Sequence, residues 1–136
     1  MRSSACVVVA LLAASGPAAA HHSFASEFDE KNCGEFTGAL LGVDWQNPHA
    51  YFFVDAKDAR GVQAKLTFQT SSLANMVRGG TPRAYFVTNM GKTVTVRGCA
   101  SLNGTDNRHA ASWIRVGDGP LHRVGQDVEG FFGSNN

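Results

Sequence analysis

Val62-Gln63-Ala64-Lys65-Leu66-Thr67-Phe68-Gln69 alternates apolar and polar side chains along its whole length. That period of two is the signature of a strand with one buried face and one wet face. Upstream, Asp55-Ala56-Lys57-Asp58-Ala59-Arg60-Gly61 reads as a polar hairpin loop, and Ala50-Tyr51-Phe52-Phe53-Val54 as a short, almost wholly apolar strand before it. A first strand is expected over residues 35–45, carrying Phe36, Leu40, Leu41, Val43 and Trp45. Its apolar phase changes near Gly38 or Gly42, as a bulge would change it.

Downstream of the central stretch, Ser71 or Ser72 can cap a short helix bearing Leu73, Met76 and Val77, which Gly79-Gly80 would end. Val94 and Val96 mark a fourth strand over residues 92–98, and Trp113 and Ile114 a fifth over residues 111–116. The expected fold is therefore all-β with little helix: a five-stranded OB-like Greek-key barrel with one short helix between strands three and four. An open sheet or sandwich is the alternative. The expected organisation is a signal peptide over 1–20, an N-terminal arm over 21–32, the barrel over 33–124 and a flexible tail over 125–136.

The leader carries its own signature. Arg2 supplies a positive n-region, residues 5–14 form an uncharged apolar stretch, and Gly16-Pro17 precedes Ala18-Ala19-Ala20, an A-x-A cleavage site. An uncleaved anchor is the rival reading, although a span needs roughly 20 apolar residues. Cleavage after Ala20 leaves 116 residues, beginning at His21, with 11 Lys and Arg against 11 Asp and Glu. A balanced charge gives phosphate backbones nothing to attract, so nucleic acid is not an expected partner. No membrane span is expected after cleavage, and the location is periplasmic or secreted. There Cys33 and Cys99, one just before strand one and the other just after strand four, are expected to form a disulfide. In an OB barrel those strand ends are antiparallel neighbours.

Ala20-His21-His22-Ser23-Phe24, followed by Trp45-Gln46-Asn47-Pro48-His49-Ala50, resembles an uncharacterised family of small exported bacterial proteins classed as a domain of unknown function. Ser71-Ser72-Leu73-Ala74-Asn75 and Gly117-Asp118-Gly119 extend the resemblance over most of the processed chain. The chain departs from that pattern in its 81–91 connection, its cysteine pair and its longer tail. The resemblance implies a single exported domain and no established activity.

Chemistry is concentrated in the histidines. The α-amine and imidazole of His21 can close one chelate that His22 completes, and imidazole suits copper, nickel and zinc. His49, fixed behind Pro48, is the third candidate ligand. His109, beside Asp106-Asn107-Arg108, reads as a solvated loop residue and His122 as part of the tail. The expected function is an exported binding protein holding a copper-type ion through His21, His22 and His49. A metal-free module that takes a small molecule, a glycan or a periplasmic protein partner is the second reading; Trp45, Tyr51 and Trp113 would supply its ligand face, although aromatics at strand spacing also build cores. A copper oxidase is the third, because an N-terminal histidine joined by a second one resembles the histidine brace of copper-dependent polysaccharide oxygenases. No nucleophile elbow, phosphate loop or dinucleotide fingerprint occurs, and no catalytic residue is assigned.

Overall fold

The structure, a computed structural model, describes residues 24–104 and 107–133. The leader, His21 and His22 lie outside the described residues. Among the described residues nine elements follow one another: α1 (Phe24–Glu27), β1 (Phe28–Asp44), β2 (Tyr51–Lys57), β3 (Gln63–Gln69), α2 (Leu73–Arg78), α3 (Arg83–Thr88), β4 (Thr93–Ser101), β5 (Arg108–Val116) and β6 (His122–Arg123). The sheet runs β3-β2-β1-β4-β5-β6, and a parallel pairing of Thr67, Phe68 and Gln69 with Arg108, His109 and Ala110 joins β3 to β5. The first five strands thus close on themselves as an OB-type barrel, all-β with small helical content.

The alternation seen in the sequence becomes the barrel wall. Leu66 and Phe68 of β3 are fully enclosed beside Phe52 and Val54 of β2, with which they are in register. Phe52 and Phe68 stack with centroids 5.2 Å apart. Each such ring removed from water is worth about 1.5–3 kcal/mol. Val62, expected to belong to the inward set, lies outside the strand and is 55 % exposed. The expected bulge falls between Leu40 and Gly42. Gly38 is needed at the β1–β2 crossing, because a Cβ there would meet the Asp55 carbonyl oxygen at 2.0 Å.

Cys33 and Cys99 are register partners on β1 and β4 and form the expected disulfide. The connection from β3 to β4 differs from expectation, with two helices where the sequence indicated one. Ser72 caps α2 by accepting from the Asn75 amide at 3.4 Å. Pro82 sets the entry to α3, whose Phe86 is fully buried against Phe52. A six-residue helix shows too little of its period for the sequence to announce it.

Both ends of the described chain make contacts with the barrel. β1 starts at Phe28 rather than residue 35, and Phe28 is only 3 % exposed. Phe24 packs on it at 5.3 Å, the Arg108 guanidinium covers its ring at 5.0 Å, and the Leu102 amide donates to the Glu27 carbonyl. At the other end, the Val124 and Gly125 amides both donate to the Ser112 carbonyl. Glu129 then takes a two-pronged hydrogen bond from Arg97, and Phe131 meets Trp113 edge-on at 5.8 Å. Residues 125–133 thus lie as a strap across β5 and β4.

Candidate functional site

One side of the barrel carries a cavity of about 190 Å³, walled by the start of the described chain, the β1–β2 loop and the seam between β3 and β5. Phe24, Glu27 and His49 all line it. The backbone fixes His49 through its neighbour: Ala50 is fully buried, and its carbonyl accepts from both the amide and the hydroxyl of Thr70 at 3.0 Å. The preceding Asn47–Pro48 peptide is cis. His49 itself is half-buried, and its Nδ1 is enclosed with no hydrogen-bond partner among the described residues. An enclosed ring nitrogen left unsatisfied is costly, so the site is one that a donor or a cation would stabilise.

Across the cavity Glu27 and Gln69 are already committed. Arg108 donates to Glu27 at 3.0 Å and to Gln69 at 2.7 Å. This bridge ties the end of α1 to the β3–β5 seam and pairs Glu27 with a cation, whereas the His49 Nδ1 on the same cavity wall has no partner among the described residues. Among the described residues no three His, Cys, Asp or Glu side chains gather as a ready metal site.

The other singled-out residues are dispersed. His109 is not a solvated loop residue: it belongs to β5, is 6 % exposed, and lies between the Phe36 and Phe68 rings at 4.5 and 5.4 Å. Burial lowers its pKa from 6.5, with a backbone hydrogen bond at Asn107 opposing. His122 lies in β6 with its ring against Tyr85 at 5.0 Å. Trp45 packs inward near Phe86, and Tyr51 is a half-buried residue at the start of β2. Trp113 is 3 % exposed, with Phe131 packed on it. None of Trp45, Tyr51 and Trp113 lines the cavity. Sequence reasoning passed over Glu27, Gln69 and Arg108, whose partnership depends on the non-local closure of the barrel.

Fold and cavity together define a small closed β-barrel with a rigidly placed histidine beside the entry of its own chain. Residues 8–113 match the model of a family of unknown function (DUF6152), and the chain belongs to that family. No curated protein and no solved structure matches it. Among the described residues no helix is long and apolar enough to cross a membrane.

Proposed function

We propose that this protein is an exported binding protein that holds one copper-type ion between the amino terminus of its processed chain and His49. The observation that carries this reading is that Phe24 and His49 line the same cavity. A chain extends at most about 3.6 Å per residue, so His22 and His21 are tethered within roughly 7 and 11 Å of the Phe24 backbone. An α-amine with up to three imidazoles is a nitrogen donor set that suits copper, nickel or zinc. The size of the cavity agrees, since about 190 Å³ falls below the roughly 300–1,000 Å³ of sites for drug-sized ligands.

Binding requires deprotonated donors, so capture releases protons and orders the amino-terminal segment against the barrel. Cu(II) titration of chain beginning at His21 tests the reading. Adding one residue before His21 displaces the amine, and His49→Ala removes the ring in the wall. Each is expected to weaken binding at least about tenfold. Equal affinity in all three forms would favour the metal-free module, with the same cavity taking a small molecule. A brace-type oxidase has less support, because Trp45 is turned to the core and Trp113 lies beneath Phe131, so neither offers a substrate platform.

A further inference from the structure

Ser71, Gly125 and Gln126 wall the cavity beside His49, and the same three residues wall a second, larger groove of about 620 Å³. The far side of that groove is formed by Arg78 at the end of α2 and Arg123 of β6. Among the described residues no acidic side chain lines it. Among the described residues Arg78 is tied only to its own helix, through the Asn75 side chain and the Ala74 carbonyl, and Arg123 only to the Gly125 carbonyl. Among the described residues neither guanidinium meets a carboxylate, whereas Arg60, Arg97 and Arg108 each do. Two uncompensated guanidinium forks on one concave wall, with Ser71, Asn75 and Gln126 as further hydrogen-bonding groups, match a ligand with more than one oxyanion.

We infer that this groove binds a small molecule carrying at least two anionic oxygen groups, carboxylates or phosphates, with one group on Arg78 and another on Arg123. A single carboxylate would leave one fork unanswered, so a monoanion should bind far more weakly than a polyanion. The inference does not rest on the metal reading, since no histidine takes part.

The test is calorimetric titration of the metal-free full chain with citrate, pyrophosphate and acetate at low ionic strength, where exposed charges are least screened. Citrate or pyrophosphate is expected to bind at least tenfold more tightly than acetate, and whichever is tighter identifies the anion class. Arg78→Gln should reduce that affinity at least tenfold with an unchanged melting temperature, because its bonds are confined to its own helix. Arg78→Lys, which keeps charge but loses the fork, should fall between. Arg123→Gln should act like Arg78→Gln; should it also loosen the strap, Arg78→Gln alone decides. No binding of either polyanion, equal binding of acetate, or affinity indifferent to Arg78→Gln would overturn the assignment.

Discussion

His109, held between Phe36 and Phe68, makes stability depend on pH in a definite direction. Burial lowers its pKa below the ordinary 6.5, so between its folded value and 6.5 the unfolded chain binds more protons. Stability is then complete above about 6.5 and declines as pH falls through that window, with a slope of at most ~1.4 kcal/mol per pH unit for one proton. Thermal melts between pH 7.5 and 5.5 should show this decline, and His109→Leu should flatten it. Gly125 yields a second expectation, since a Cβ there would lie 1.9 Å from the Ala111 carbonyl oxygen. Gly125→Ala must move backbone and is expected to cost about 1–3 kcal/mol in denaturant unfolding. His49 was legible as a placed residue because Pro48 precedes it and an apolar strand follows. His109 was not, because its polar neighbours look like loop and its cover comes from a parallel pairing across the barrel.

Elements show the same division between local and distant information. β3 was readable from its alternation and β2 from a short apolar run ahead of a polar turn, and the pairing of β1 with β4 followed from the strand order, with the cysteine positions in agreement. That disulfide spans 66 residues. Replacing both cysteines by serine is expected to cost about 4 kcal/mol on the chain-entropy account, read as a lower denaturation midpoint. The strap over β5 was illegible, since Gly-rich sequence gives no hint that Arg97 would clasp Glu129. Because this pair is partly exposed, Glu129→Gln should cost no more than about 1 kcal/mol. It should nonetheless release Phe131 from Trp113, seen as increased tryptophan quenching by acrylamide. Arg97 also holds the Glu129 carboxyl below 4.5, so the clasp persists above that pH and opens as pH falls through the lowered value.

At the scale of the whole molecule, barrel closure brings residues from early and late in the described chain to one surface. Phe24, His49, Gln69 and Gln126 share a cavity although more than 100 positions separate the first from the last, and no local pattern announces such a meeting. If Cu(II) is held there, its binding to the native state alone should raise the unfolding free energy by about 2.7 kcal/mol at a free concentration 100 times Kd, with a matching rise in melting temperature. Ser71, Gly125 and Gln126 stand as a common partition between the histidine compartment and the arginine compartment. Thermodynamic reciprocity then applies: whatever factor an occupant of one chamber imposes on affinity in the other must be returned unchanged in the opposite direction.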